Sequence, residues 1–414
     1  MSVKLLYGMD VIDGLKTLAD ESVHCVVTSP PYWGLRTYGV DGQMGLEKTP
    51  EEYVSKIVEV FREVKRVLRE DGTLWLNLGD SYWGGGFGTS PNGNEDFAKR
   101  YPKQASNKGT ADHETRKQLG ILKKGNFLKP KDMVGIPWRV AFTLQNDGWY
   151  LRSDIIWAKP NPMPESVTDR PTKSYEHVFL LTKSERYFYD RIAVLEEAAY
   201  DGRKDTVMKG SEKYDGVQEN ASRGHERWRK MPRKNDGTGH AGDGTNVREH
   251  SGCSMNNPDY AMMRNKRDVW MIPTESYRGA HFATFPAALV EPCILAGTSA
   301  MGCCGKCGKS VKRMIKTLGV GKKVTPGSKT ERKIEIGLRT AIGGAERDCA
   351  VVETLGWEPQ CKCNVETVRC VVLDPFGGSG TVGEVAAKLG RDAILIDLNK
   401  AYEPLARERI GLLV

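Results

Sequence analysis

At 414 residues the chain exceeds the size at which one hydrophobic core stops growing, which predicts more than one domain or large insertions on one. Its 61 Lys+Arg against 53 Asp+Glu give a net charge of +8, concentrated in blocks: residues 97–131 hold ten basic and two acidic residues, and 306–347 hold twelve and three. Such an excess suits a polyanionic partner or a solvated loop. No apolar run is long enough to span a bilayer and no charged-then-apolar segment opens the sequence, so the reading is a cytoplasmic protein with no membrane partner. Its ten cysteines are then free, buried or metal-bound.

In chain order, VKLLYG (3–8) reads as a strand, VIDGLKTLADES (11–22) as a short helix and VHCVVT (23–28) as a buried strand. Residues 49–72 predict a long helix, with Thr49 as N-cap, Pro50 in the first turn and Glu52 completing a capping box. Tyr53, Ile57, Phe61, Val64 and Leu68 share its apolar face, and Gly72 is its expected stop. TLWLNLGD (73–80) is the next strand, and strand–helix–strand runs of this kind build right-handed crossovers in a mainly parallel sheet. Residues 84–132 read as a flexible basic insertion. A helix and a strand return within 135–160, and EHVFLLTKS (176–184) is a further strand. Residues 196–268 are polar and Gly-rich, 269–300 are structured, 301–368 carry cysteines and basic residues, and 369–414 return to a β–α–β pattern.

Two stretches carry chemistry. TSPPYW (28–33) follows a buried strand, and its paired prolines fix φ and remove donors, leaving a stiff loop that presents Ser29, free carbonyls and the ring of Tyr32. A flat substrate can stack on that ring while Ser29 and a proline carbonyl accept from an exocyclic amine. Near the other end, VVLDPFGGSGT runs from a strand through Gly377, Gly378 and Gly380 into a helix, and Asp397 ends the following strand. Glycines let the backbone approach a ligand at a helix amino end, and an acid about 20 residues on meets ribose hydroxyls in nucleotide-binding folds. No G-K-[ST] follows, which argues against a triphosphate loop.

These residues resemble the S-adenosylmethionine-dependent DNA amino-methyltransferases of the β group. TSPPYW resembles their catalytic motif and DPFGGSGT (374–381) their cofactor motif, in that order. LLYGMDVIDGL, GTLWLNLGDSY, LRSDIIWAKPNPMPES, EHVFLLTKSERYFYD and HFATFPAALVEPCILAGTS resemble further segments; Met9 separates Gly8 from Asp10 where the family has Gly-Asp directly. The resemblance implies an α/β fold, a doubly wound, mainly parallel sheet of the Rossmann-like methyltransferase type, circularly permuted. Its core would comprise 1–83 as the catalytic half, continued through 133–195, then 269–300 as the segment closing over the cofactor, and 369–414 as the cofactor-binding half. It also implies S-adenosylmethionine held by Asp10, Thr28, Phe285, Asp374, Pro375, Phe376, Gly377, Gly378, Ser379, Gly380, Thr381 and Asp397. Ser29, Pro30, Pro31 and Tyr32 would be catalytic, acting on a base flipped out of double-stranded DNA. Tyr32 would stack on the base, and Ser29 with the Pro30 carbonyl would hold its amine. Serine before PPY is typical of N4-cytosine enzymes, which favours cytosine over N6 of adenine. The implied setting is a bacterial or phage-infected cell, with room for a cognate restriction endonuclease; monomer and homodimer both stay open.

Two features lie outside the core motifs. Cys304 and Cys307 (C-x-x-C) with Cys361 and Cys363 (C-x-C) suit a four-thiolate structural Zn²⁺ site within 301–368. RGHERWRKMPRK places Arg223, Arg227, Trp228, Arg229, Lys230, Arg233 and Lys234 in a candidate DNA contact, at the position of the family's target-recognition region, 196–268. Cys25 reads as a buried strand residue rather than a nucleophile. Competing readings are an RNA or protein-amide methyltransferase, whose cofactor turn usually comes first, and a DNA-binding zinc protein with an inactive core.

Overall fold

A computed structural model describes residues 2–35, 40–83, 128–129, 131–165, 167–197, 263–275, 285–318 and 351–411. In chain order the strands and helices are β1 (Val3–Tyr7), α1 (Val11–Lys16), β2 (Val23–Thr28), α2 (Pro50–Val67), β3 (Leu68–Leu78), α3 (Ile136–Asn146), β4 (Tyr150–Ala158), β5 (Tyr175–Thr182), β6 (Glu196–Glu197), β7 (Met263–Arg264) and β8 (Val269–Met271). There follow α4 (Ala287–Gly297), β9 (Cys303–Cys304), β10 (Lys312–Leu318), β11 (Val351–Glu358), β12 (Thr367–Val368), β13 (Val371–Asp374), α5 (Thr381–Lys388), β14 (Asp392–Asp397) and α6 (Glu403–Ile410). The chain divides into two units, one of residues 1–195, 265–316 and 353–414, the other of 196–264 and 317–352. Within the second, β6 and β7 pair antiparallel, and Arg264 meets Glu196 at 2.9 Å.

The first unit is built on an eight-stranded sheet in the order β1–β14–β13–β2–β3–β5–β4–β8. All its pairings are parallel except those of β5, which runs against both neighbours. Side chains alternate along each strand and so feed two cores. On one face Val26, Leu74 and Leu76 pack with α1, α2 and α3 through Leu15, Ile57, Phe61 and Leu144. On the other, Cys25, Val27 and Trp75 pack with α4, α5 and α6 through Ile294, Val382 and Ala406. Cys25 is fully buried and its thiol is pushed up to about 12 by that burial, which makes it core rather than nucleophile. The winding reverses between β13 and β2. From β13 the chain passes through α5 to β14, from β2 through α2 to β3, and a crevice opens at the carboxyl ends between them.

Helix α2 starts as its sequence dictates and ends earlier. The Glu52 N–H donates to Thr49 Oγ1 at 3.1 Å, while the Glu52 carboxylate accepts from the N–H of Lys48 at 3.0 Å, one residue before the usual capping-box partner. Gly72 is not its stop. Leu68 is already extended (φ −71°, ψ 136°) because parallel pairing with β2 begins at Val23–Leu68, and Gly72 lies inside β3. A Cβ at Gly72 would sit 2.5 Å from Leu68 Cδ1, so the glycine serves the bend into the sheet. Helix α1 likewise ends at Lys16, short of the expected Ser22.

Thr49→Ala removes a helix cap remote from the crevice. It is expected to cost about 1 kcal/mol, read as a lower urea midpoint with ligand binding unchanged; an unaltered midpoint would show that solvent replaces the cap.

Candidate active site at the strand switch point

The last residues of two neighbouring strands, β2 and β13, are joined directly. Thr28 Oγ1, at the end of β2, donates to Asp374 Oδ1, at the end of β13, at 2.7 Å, and the Phe376 N–H donates to the same oxygen at 3.0 Å. Asp374 is 2% exposed, and burial raises its carboxyl to about 7 against the lowering effect of these hydrogen bonds. The loops leaving the two strands, TSPPYW and DPFGGSGT, are thereby fixed side by side.

A cavity of about 110 Å³ lies over the second loop, lined by residues 374–379 and Thr381 together with Asp10, Asp397 and Phe285. The loop is shaped by close approach. A Cβ on Gly377 would stand 2.9 Å from Tyr7 Oη and 3.0 Å from Leu395 Cβ. Gly378, at φ +49°, donates its N–H to Asp397 Oδ2 at 2.8 Å, and the Asn399 N–H reaches Oδ1 at 2.7 Å. Burial raises the Asp397 carboxyl, opposed by those two N–H groups. Asp10 caps α1 through the Ile12 N–H at 2.8 Å and still borders the cavity. Thr28 and Gly380 are not among the lining residues. Thr28 acts through Asp374, and Gly380 (φ +82°) admits Ala406 of α6, whose Cβ would lie 2.9 Å from an added Cβ.

A second, wider cavity of about 720 Å³ lies over the proline loop, bordered by Ser29, Pro30 and Tyr32. Ser29 and Phe285 line both cavities, so the two meet there; Pro31 lines only the first. The loop is braced from below: Tyr53 Oη donates to the Pro31 carbonyl at 2.8 Å, Trp33 Nε1 to the Glu47 carbonyl at 3.0 Å, and Trp33 stacks on Trp83 at 6.0 Å. No hydrogen bond among the described residues engages the Pro30 carbonyl, which leaves it as a free acceptor.

The far wall of this cavity was not singled out from sequence. Tyr32 Oη donates to Glu176 Oε2 at 2.7 Å, Ser29 Oγ donates to Tyr32 Oη at 3.3 Å, Asn77 Nδ2 donates to Glu176 Oε2 at 3.2 Å, and Lys159 pairs with the other Glu176 oxygen. Asp80 accepts from the N–H groups of Gly135 and Ile136 at 3.0 Å, holding the start of α3, and its carbonyl accepts from Lys173 at 2.9 Å. Burial lowers the Lys173 ammonium. The Tyr32 ring rests on Gly79, where an added Cβ would lie 2.5 Å from Cε2.

The two cysteine pairs converge: the Sγ atoms of Cys304, Cys307, Cys361 and Cys363 all lie within 4.8 Å of one another. Strands β9 and β12 close this knuckle, pairing Cys304 with Thr367. It docks on the amino end of the central strands, where His24 Nε2 donates to the Gly308 carbonyl at 2.9 Å and Arg69 donates to the Cys307 carbonyl at 2.9 Å. The N–H groups of Cys307 and Lys306 hold the Cys304 thiol down at about 6, while thiol hydrogen bonds to Cys307 and Cys361 push Cys363 up to about 12. His24, Cys303 and Cys370 also cluster, but the His24 Nδ1 accepts from the Val371 N–H at 3.1 Å, so both ring nitrogens are committed to backbone. The basic residues from Arg223 to Lys234 lie outside the described residues.

The model of the N6/N4 DNA methylase family matches residues 23–304 and 366–408, which include both loops. The chain belongs to this DNA methylase family. It is similar to the type II methyltransferase M.SmaI of Serratia marcescens, 35% identical over 99% of this chain and 91% of that protein. It is equally similar to M.Cfr9I of Citrobacter freundii, 35% identical over 98% of this chain and 87% of that protein. Among solved structures it matches PvuII DNA methyltransferase (cytosine-N4-specific) at TM-score 0.48 and 15% identity, over 99% and 87% of the two chains. The methylase is thus an S-adenosylmethionine-dependent DNA amino-methyltransferase with a Rossmann-like, mainly parallel sheet. Among its described residues no helix is long and apolar enough to cross a membrane.

The buried carboxyl at the strand switch gives a pH prediction. An unfolded Asp titrates near about 3.9, whereas Asp374 keeps its proton to about 7 in the fold, so its contribution to stability is full at acid pH and lost as pH rises between these values. In ligand-free protein, Asp374→Asn should therefore gain melting temperature relative to the native chain between about pH 4 and pH 8. A difference that does not change with pH would contradict it. Gly79→Ala should displace Tyr32 and lower methyl transfer without altering cofactor affinity, read by single-turnover assay and ligand titration.

Proposed function

We propose that the methylase methylates N4 of a cytosine flipped out of duplex DNA, with cofactor in the smaller cavity and base in the larger. The observation that carries this reading is the junction of the two cavities at Ser29 and Phe285. The lining of the smaller one suits S-adenosylmethionine. Asp397 borders it with a lone pair on each oxygen beyond those taken by backbone N–H groups, as ribose hydroxyls require, and Gly377 and Gly378 bring backbone close. When bound it supplies an electrophilic methyl group. Ser29, at the junction, and the Pro30 carbonyl, in the wider cavity, both accept; they hold the target amine and turn its lone pair toward that methyl, so positioning is the main contribution. The Tyr32 ring, fixed by Gly79 and Glu176, offers a stacking surface. Lys159 keeps donors beyond the one given to Glu176, which favours cytosine because it carries a ring carbonyl that adenine lacks.

The same reading includes circular permutation. β13, late in the sequence, lies inside the sheet between β14 and β2, and β1, early in the sequence, pairs in parallel with β14. It also includes a structural zinc ion. The four Sγ atoms lie close enough for one divalent cation to take them all as a tetrahedral thiolate set with no open position. Residues 196–268, with Arg223, Arg227, Trp228, Arg229, Lys230, Arg233 and Lys234, are read as the DNA-recognition region. The likeness to type II methyltransferases supports a protective role opposite a cognate endonuclease.

Incubation with methyl-labelled S-adenosylmethionine and mixed-sequence duplex, followed by mass spectrometry of the nucleosides, should yield N4-methylcytosine. N6-methyladenine would overturn the choice of base, and no methylated nucleoside would overturn the reading. Ser29→Ala should keep cofactor binding and lose roughly 10²-fold in turnover, while Asp397→Ala should weaken cofactor binding. Elemental analysis should find about one zinc per chain, as a four-thiolate site requires, and Cys363→Ser should lose it together with thermal stability.

A further inference from the structure

We propose that Glu176 is the final acceptor of the proton that the target amine sheds, reached through Tyr32 and Ser29; this rests on the reading of the wider cavity as a base site. The hydrogen bonds fix the direction of the chain. The Glu176 carboxylate faces donors only: Tyr32 Oη and Asn77 Nδ2 at Oε2, and Lys159 at the other oxygen. Asn77 Nδ2 is committed to Glu176 Oε2 at 3.2 Å and to the His177 carbonyl at 3.1 Å, which sets the orientation of the amide. Its Oδ1 lies 3.2 Å from Tyr32 Oη, the weaker acceptor beside Glu176 at 2.7 Å, so the phenol proton points to the carboxylate. Tyr32 Oη is then free to accept, and Ser29 Oγ donates to it at 3.3 Å. With its only proton spent there, Ser29 presents lone pairs toward the junction of the cavities. Burial, and after it the charge of Glu176, raises the Tyr32 phenol well above its ordinary value, so it stays neutral and can give one proton while taking another.

The step balances. The amine nitrogen bonds to the methyl as the methyl–sulfur bond breaks, and the nitrogen, now positively charged, must lose a proton. That proton passes to Ser29 Oγ, the Ser29 proton passes to Tyr32 Oη, and the Tyr32 proton passes to Glu176 Oε2. Both hydroxyls end neutral, and the carboxylate ends as a carboxylic acid beside the Lys159 ammonium. A methylated, protonated base amine is a stronger acid than a carboxylic acid, so the transfer runs downhill. Glu176 sits on β5, the antiparallel strand, and touches the reaction only through the two hydroxyls.

The test uses Glu176→Gln, which keeps an acceptor oxygen for Tyr32 but takes no proton, and Tyr32→Phe, which keeps the ring but cuts the chain. Single-turnover methyl transfer should fall roughly 10²-fold in each, the lower end of general-base effects, with S-adenosylhomocysteine and duplex affinities within about threefold. The double variant should be no slower than either single one, because both interrupt one chain. A binding readout needs no cofactor: the native protein should prefer cytosine to uracil at the mapped target position, since Ser29 accepts, and Tyr32→Phe should relax that preference. Glu176→Gln within about threefold of the native rate, losses that multiply in the double variant, or an unchanged cytosine preference in Tyr32→Phe would each overturn the proposal. If the native enzyme makes no methylated nucleoside, it is the functional reading that fails instead.

Discussion

The hydrogen bond from Thr28 to Asp374 is the constraint on which the site depends. It spans the one place in the sheet where the winding reverses, and it ties the strand that ends in the proline loop to the strand that ends in the glycine loop. A fully buried carboxyl costs free energy unless it is protonated or hydrogen-bonded. Asp374 is accommodated by the Thr28 hydroxyl and the Phe376 N–H, both of which belong to the loops it aligns. The stiffness of the prolines and the left-handed turn at Gly378 act on top of that fixed base.

From this base the chemistry divides between two faces of one loop. Ser29 borders both cavities, Pro31 only the smaller, and Pro30 and Tyr32 only the larger. Methyl transfer to an amine needs little from the protein beyond aligned acceptors and a route for one proton. The antiparallel strand β5 contributes to both, because Glu176 at its start orients Tyr32 and through it Ser29. The cysteine knuckle belongs to the opposite end of the same strands. It grips β2 and the start of β3 through His24 and Arg69, away from the two loops.

How much of this was legible in the sequence follows from how local each feature is. TSPPYW and DPFGGSGT could be read because proline restriction and glycine turns act on neighbouring residues, and their joint order carried the family. The cysteine pairs could be read from spacing alone, although nothing local to them indicated the docking by His24 and Arg69. The helix stop at Gly72 failed because pairing of Leu68 with β2 overrode a local signal. Glu176, Lys159 and Asn77 were missed for a similar reason: they come from β5, from just past the end of β4 and from β3, and meet only when β5 inserts between β3 and β4. The signal they did carry was a buried polar residue within an apolar strand, Asn77, and charges set at the ends of two others.

The most direct test of the central claim, that one loop holds cofactor on one side and base on the other, is a crystal structure of the methylase with S-adenosylhomocysteine and a duplex containing its target. The account predicts the ribose hydroxyls on Asp397, the sulfur at the junction beside Phe285, and the amine of an extrahelical base hydrogen-bonded to Ser29 Oγ and the Pro30 carbonyl. A base seated away from Ser29, or a cofactor outside the cavity formed by residues 374–379, would contradict it.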